Sequence, residues 1–477
     1  MMQAAQQAVE TRRELQLVTE SKKMSTAING LDHNSNVRVL PVKQLRGKLR
    51  LPGDKSISHR AAILAALAQE GISRISNFST GADCQSTLSC LERLGVRIER
   101  EGDAIVRIEG TGARGFVNEP EGQIDCGNSG STMRILAGAL AGHDIVATLT
   151  GDESLRSRPM QRIIEPLKLM GAEILTSGDR APLTVKGQHP LRPIAYEMPI
   201  ASAQVKSAIL FASLNASGRT EIVEPNATRD HTERLLRCFG LEIEMKRISK
   251  DGGTARHVAI QGLQRFGPRN ISIPGDISSA AFFIAAATVL PNSEVEITNV
   301  GLNPTRIAFL RTLQLLGAQV RVETMRDEGN EPVGNVYVMG SGDLVPLAGK
   351  ANLVCGPVVA QLIDELPLLA VVGTRLQGGI EIRDATELRF KESDRIATTV
   401  RNLRAMGAEV EEFADGLAVT GPTRLHGAVI DSYGDHRIVM AFAVAALMSA
   451  GESEIRGADC IRVSFPEFFR LLDSLIH

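Results

Sequence analysis

Six times along the chain a short polar stretch runs into a segment too apolar to have a solvent side. The segments begin at Asp54 (DKSISHRAAILAALA), Asn128 (NSGSTMRILAGALAG), Ser202 (SAQVKSAILFASL), Asp276 (DISSAAFFIAAATVL), Asp364 (DELPLLAVV) and Asp435 (DHRIVMAFAVAALM). The first four starts recur about every 74 residues, so the segments are copies of one supersecondary unit. A helix apolar on every side is buried. Its first turn nevertheless carries unpaired N–H groups and the positive end of the helix dipole, which small polar side chains or an anion must satisfy. Each start is therefore a candidate anion site, and a fold that aims several at one place binds a polyanionic ligand.

After each buried segment comes a short strand and then an amphipathic helix with a Gly stop: LSCLERLG to Gly95, IIEPLKLMG to Gly171, ERLLRCFG to Gly240, FLRTLQLLG to Gly317 and VRNLRAMG to Gly407. Two strands with alternating apolar positions follow, for example VRIER and AIVRIEG. The last copy ends at Pro466–Ile476 without them, and the strands of Val37–Gly53 are expected to complete it from the other end of the chain. The pattern gives an α/β protein of two domains with three units each, 53–270 and 36–52 plus 271–477, with a ligand cleft between them. Residues 1–35, rich in Gln, Glu and Lys, read as a mobile extension with a helical pattern over Ala5–Lys23, and Met24 is a second candidate start. The stretch lacks the apolar core of a secretory signal.

Length and composition narrow the function. A chain of 477 residues exceeds one core, in keeping with two domains. Lys and Arg number 53 against 55 Asp and Glu, a formal charge of −2, which argues against nucleic acid or a membrane surface as partner and makes any cationic site local. No Trp and three Tyr leave little for base stacking. The apolar run Ile438–Met448 is too short to span a bilayer. Six scattered Cys, with no CxxC and no Cys/His cluster, fit reduced thiols of a cytoplasmic protein and ask for no metal.

In the first copy Lys55, Ser56 and Arg60 sit within a turn or so of a helix start, a phosphate or carboxylate cradle. A lone match of this kind is more often an N-cap with solvated charges. GDKS fails as a P-loop because Asp54 stands where Gly must precede the Lys. Arg134 follows the small-residue turn at Gly127–Gly130, and Gln204 and Lys206 take the same part in the third copy. Arg156 and Arg158 precede an amphipathic helix for which Pro159 suits position N1, and Arg229 precedes another. The second half adds carboxylates: Asp276, Asp364 and Asp435 open their copies, RFKESDR brings Lys391, Glu392 and Arg395, and YGDHR brings His436 and Arg437. Carboxylates beside anion-binding cations suit acid–base chemistry. Asp276, with no other ionisable group beside it in sequence, reads as a simple N-cap, and Asp364 taken alone reads the same way.

The motifs LPGDKSISHR, GNSGSTMR, SLRSRPM, SAQVK, ELRFKESDR, YGDHR and SFPEFF, in this order over about residues 40–470, resemble the 5-enolpyruvylshikimate-3-phosphate synthase family, with GDKS, SAQVK, NATR and RDHTE similar to its class II branch. The resemblance implies two domains of three βαβαββ units (the enolpyruvyl transferase fold, an inside-out α/β barrel) with the active site in the interdomain cleft. It implies transfer of the enolpyruvyl group of phosphoenolpyruvate to the 5-hydroxyl of shikimate 3-phosphate, releasing phosphate through a tetrahedral ketal, a step of aromatic amino-acid biosynthesis. Carried over by motif, Lys55, Ser56, Arg60, Ser202, Ala203, Gln204, Arg229, Asp364 and Lys391 hold shikimate 3-phosphate. Lys55, Gly130, Arg134, Arg158, Gln204, Arg395, His436 and Arg437 meet phosphoenolpyruvate. Asp364 is the expected base for the 5-hydroxyl, Glu392 the acid for the methylene carbon, and Lys55 an aid to proton transfer and charge stabilisation. No cofactor or metal is implied, and the expected state is a cytoplasmic monomer that closes on its substrates.

Two departures stand out. Some members place a phosphoenolpyruvate-binding Lys before the last motif, where this chain has Val463. Gly130 sits where a bulkier residue excludes the inhibitor glyphosate in some tolerant class II enzymes, so sensitivity is expected. The rivals are the same-fold transferase acting on UDP-N-acetylglucosamine, which uses a Lys-Asn pair and a mobile-loop Cys, and a non-catalytic binder of phosphorylated metabolites, which would not need both Asp364 and Glu392.

Overall fold

The computed structural model describes residues 27–29, 35–112, 115–117, 120–250, 253–347 and 352–477. The six apolar segments form helices at Lys55–Leu67, Gly130–Ala141, Ala203–Ser213, Ile277–Val289, Leu366–Gly373 and His436–Leu447, and every residue of the last two is buried. Five open on a side-chain cap, from Asp54, Ser129, Ser202, Asp276 and Asp435. The Leu366–Gly373 helix does not: Glu365 stands at its cap position and makes no capping bond. A short helix at Pro357–Leu362 runs almost directly into it, with Ile363 and Glu365 helical in backbone, so Asp364 is not the N-cap that its sequence position suggests.

These helices pack against each other, and the sheets lie outside them. Gly138 sits so close to Ala208 of the neighbouring helix that a Cβ there would stand 2.2 Å from the Ala208 carbonyl oxygen, so only Gly allows this approach. One apolar core runs from Ile57 to Ile273; the other joins residues between Ile28 and Leu51 to residues between Ile277 and Leu475. The amphipathic helices end as expected, with Gly95, Gly171, Gly240, Gly317 and Gly407 all at positive φ.

Among the described residues the strands form six four-stranded sheets of one plan. In one, Gln123–Asp125 runs parallel to Val146–Thr150, which pairs antiparallel with Arg180–Lys186, itself antiparallel to Glu173–Ser177. The two segments that pass between the halves exchange strands. Arg46–Arg50 lies parallel to Glu294–Gly301 of the fourth unit, whereas Ile271–Ser272 lies parallel to Ile72–Ser76 of the first. Of the strands expected within Val37–Gly53, then, only Val37–Val39 joins the last unit, on Ser453–Arg456. The segments touch where they cross: Asp54 N donates to Pro274 O at 2.9 Å and Asp276 N to Pro52 O at 3.1 Å.

Two local expectations are corrected. Ile28–Asn29 pairs with Arg38 and Val39, and Ile28 is buried, so the end of the presumed extension is a strand. The helical pattern at Ala5–Lys23 and Met24 lies outside the described residues. Pro159 is not at position N1: Glu153–Ser157 forms its own short helix, and Met160 is the cap position of the next, Gln161–Leu169.

Candidate active site

The buried helix starts bring their polar residues to the junction of the halves. Lys55 holds Asp83 at 2.9 Å, and its backbone N–H donates to Asp276 Oδ2 at 3.2 Å. Burial lowers the Lys55 ammonium, but the Asp83 charge outweighs it and leaves the pKa raised. Asp276 therefore does more than cap its own helix. Arg306 and Arg437 stabilise its charge against burial, and Asp54, pushed upward by burial and by Asp276, lies beside it. Sequence distance concealed these neighbours.

On the first half, Arg134 Nη1 donates to Gln204 Oε1 at 2.8 Å, and Gln204 Nε2 to Ser131 Oγ at 3.0 Å. Burial, with Arg158 and Arg162 nearby, lowers Arg134 to about 10, a strained concentration of positive charge that an anion would relieve. Gly130 lies against this pair: a Cβ there would stand 2.7 Å from Arg134 Nη1 and 3.5 Å from Arg158 Nη1. Arg158 is fixed by Asn128 Oδ1 at 2.8 Å and Ser154 Oγ at 3.2 Å, and its Nε is buried with no hydrogen-bond partner, a donor left over for a ligand. Arg60 donates to Thr232 Oγ1 at 2.7 Å, Ser207 Oγ at 2.8 Å and the Ser56 carbonyl at 2.8 Å. Ser202 caps the helix on which Ala203 is first and Gln204 second.

From the second half, Arg395 is 2% exposed among three carboxylates: Asp435 at 2.8 Å, Glu392 at 2.7 Å and Asp364 at 3.4 Å. The halves meet through Glu392, whose Oε1 is 3.4 Å from Arg158 Nη1, and through Asp364, 2.5 Å from Arg229 Nη2. Burial raises both carboxyls, yet neighbouring charges more than offset it: Arg229, Arg437, Lys391 and Arg395 hold Asp364 well below the carboxylate range, and Arg395, Arg158 and Lys55 do so for Glu392. His436 is driven down to about 3 by burial and by Lys55, so its ring is neutral near pH 7. Arg437 is 3.5 Å from Glu365, and Lys391 is 3.7 Å from Glu387.

The structure thus gathers nearly all the expected residues, with two exceptions. Lys206, expected to take part beside Gln204, is 0% exposed and bound to Glu224 at 2.9 Å and Glu233 at 2.7 Å, so it holds the fold and not a ligand. Arg156 is exposed. Val463 lies in the 3-10 turn Ala458–Val463, and its neighbour Arg462 lines a cavity of about 740 Å³ with Asp125 and Gly127. Sequence reasoning missed Asp83, an acidic residue in a helix first turn that reads as dipole compensation. It also missed Ser131, Ser154, Thr232 and Ser207, whose spacing alone carries no signal.

Paired helix starts, arginines from both halves and two carboxylates between them define a two-domain protein that acts on multiply anionic small molecules. The chain belongs to the family described as EPSP synthase (3-phosphoshikimate 1-carboxyvinyltransferase), whose model matches residues 39–472. It is 48% identical over 441 residues to the 3-phosphoshikimate 1-carboxyvinyltransferase of Koribacter versatilis (strain Ellin345), covering 92% of this chain and 99% of that protein. It is 47% identical over 438 residues to the one from Desulforamulus reducens, covering 91% and 98%. A solved EPSP synthase from Acinetobacter baumannii superposes with a TM-score of 0.79 at 36% identity, over 92% of this chain and 98% of that one.

Proposed function

We propose that the chain transfers the enolpyruvyl group of phosphoenolpyruvate to the 5-hydroxyl of shikimate 3-phosphate and releases phosphate. The observation that carries this reading is Glu392, shared between Arg158 of one half and Arg395 of the other, with Asp364 on the far side of Arg395. Family membership supplies the substrates. Shikimate 3-phosphate lies with its phosphate and carboxylate among Lys55, Ser56, Arg60, Ser202, Ala203, Gln204, Arg229 and Lys391. Phosphoenolpyruvate takes Arg134, Arg158, Arg395 and Arg437, with Gly130, His436 and Lys55 lining its place.

In the first step Asp364 takes the proton of the 5-hydroxyl while a proton reaches the methylene carbon of phosphoenolpyruvate, and the hydroxyl oxygen bonds to the carbon that bears the phosphate. In the second, the methyl group loses a proton as the C–O bond to phosphate breaks, restoring the double bond. The two substrates balance this chemistry without a redox partner. Glu392 cannot donate while both arginines hold it ionised; as phosphoenolpyruvate draws those guanidiniums to its own anions, the carboxyl rises and becomes the acid. Lys55 stays cationic beside Asp83 and stabilises the developing charge. The protein works as a cytoplasmic monomer, a location supported by six free cysteines. The test is mass detection of the enolpyruvyl ether after incubation with both substrates; unchanged shikimate 3-phosphate from folded protein would refute it.

A further inference from the structure

One cross-half cluster lies outside the catalytic set. The hairpin of Gln319–Glu328 and Glu331–Met339 belongs to the second half, yet its tip reaches the helix His231–Cys238 of the first. Glu331 Oε1 is 2.7 Å from His231 Nδ1, and Glu331 Oε2 accepts from Asn303 Nδ2 at 2.8 Å. The same amide donates to Asp230 Oδ1 at 2.7 Å, and Arg234 Nη1 donates to the Asn330 carbonyl at 2.7 Å. Asp230, His231, Asn303 and Glu331 are all buried to 3% exposure or less. A buried polar cluster of this kind is costly when its partners are lost, so these bonds favour the halves held together, with His231 Nε2 alone of the ring left buried without a partner.

Its sequence position gives it a consequence in the site. Four consecutive residues join the two: Arg229 reaches Asp364, Asp230 and His231 enter the cluster, and Thr232 holds Arg60. We propose that Glu331 and Asn303 are positioning residues, which seat the helix start at 230–231 and thereby set Arg229 for shikimate 3-phosphate. The proposal rests on the substrate reading above. It makes the hairpin tip the element that converts closure of the halves into a formed binding site, though it touches no substrate.

The test is a double-mutant cycle on binding of shikimate 3-phosphate, read by calorimetry on the full chain. Glu331→Ala is expected to weaken binding about tenfold and to raise KM for this substrate by a like factor, with kcat at saturation changed less than about threefold. In an Arg229→Ala background the same change is expected to add less than about twofold, because its effect passes through Arg229. Unchanged binding by Glu331→Ala, or losses that multiply in the double variant, would overturn the proposal. Should Glu331→Ala fail to fold, Asn303→Ala read in the same cycle decides by the same criteria. Failure of the unsubstituted protein to bind shikimate 3-phosphate would instead sink the substrate reading, so the two failures are distinguishable.

Discussion

Glu392→Gln tests the acid assignment most sharply. Glu392 Oε2 is 2.7 Å from Arg395 Nη2 and Oε1 is 3.4 Å from Arg158 Nη1, and despite burial these charges keep the carboxyl well below its ordinary 4.5. A unit charge pair about 4 Å apart is worth about 4 kcal/mol at an effective dielectric of about 20. Diverting these arginines to phosphoenolpyruvate removes stabilisation of that order and sets new anions beside Glu392, so both changes drive its carboxyl upward. The sign follows: the free protein holds Glu392 ionised, the complex favours its protonated form, and binding takes up a proton at pH values between the depressed and the raised pKa. Calorimetry of phosphoenolpyruvate binding, in buffers of differing ionisation enthalpy, measures that uptake. A 5-deoxy analogue of shikimate 3-phosphate, which lacks the attacking hydroxyl, prevents turnover. The phosphate of phosphoenolpyruvate exchanges protons in both proteins, so the signal is the difference: the unsubstituted protein is expected to take up more protons at pH 7 than Glu392→Gln, by up to about one. Turnover of the variant falls about 10²- to 10⁴-fold, the usual worth of a general acid, while phosphoenolpyruvate binds as tightly or more tightly because both arginines are released. Equal uptake by both proteins, or turnover within fivefold, would refute the reasoning.

Three further outcomes are expected. Lys55→Met lowers turnover by about 10³-fold, the scale of losing a charge-stabilising donor, and moves the thermal midpoint by only a few degrees; retained activity would contradict the role given to Lys55. Lys206→Met leaves Glu224 and Glu233 facing each other at 0% exposure and costs about 3–5 kcal/mol in denaturant unfolding at pH 7. Lys206 is raised by Glu233 and Glu224 against burial, so its contribution is present below the ordinary Lys pKa of 10.5 and is lost as pH rises through the folded value; a loss under 1 kcal/mol would remove the triad's importance. Glyphosate inhibits the unsubstituted protein at millimolar concentration. The Cβ of Gly130→Ala, placed 2.7 Å from Arg134 Nη1, raises the half-inhibitory concentration about tenfold or more, and an unchanged value would mean the inhibitor does not lie against Gly130.

The repeat was readable because buried helices, amphipathic helices with a left-handed Gly and alternating strands each leave a local period. Five of the six helix starts carry the caps that their Asp or Ser residues imply. The sixth departs because a preceding helical turn leaves no extended residue to cap it, which sets Asp364 free to meet Arg229. Partners far apart in sequence were invisible. Glu392 and Arg158 are 234 residues apart, and the reciprocal exchange of Arg46–Arg50 and Ile271–Ser272 between units depends on how the two linkers cross. Lys206 shows the reverse error: its place beside Gln204 resembles a ligand-binding position, but the opposite face of that helix start points at two buried glutamates.

The claim at the centre is that arginines and carboxylates of both halves join one anionic substrate to another. Phosphate release from phosphoenolpyruvate, followed with and without shikimate 3-phosphate, measures it directly. Release that requires shikimate 3-phosphate and saturates with both substrates is the expected result. Release that is absent, or that proceeds equally without shikimate 3-phosphate, from protein shown to be folded, would contradict the account.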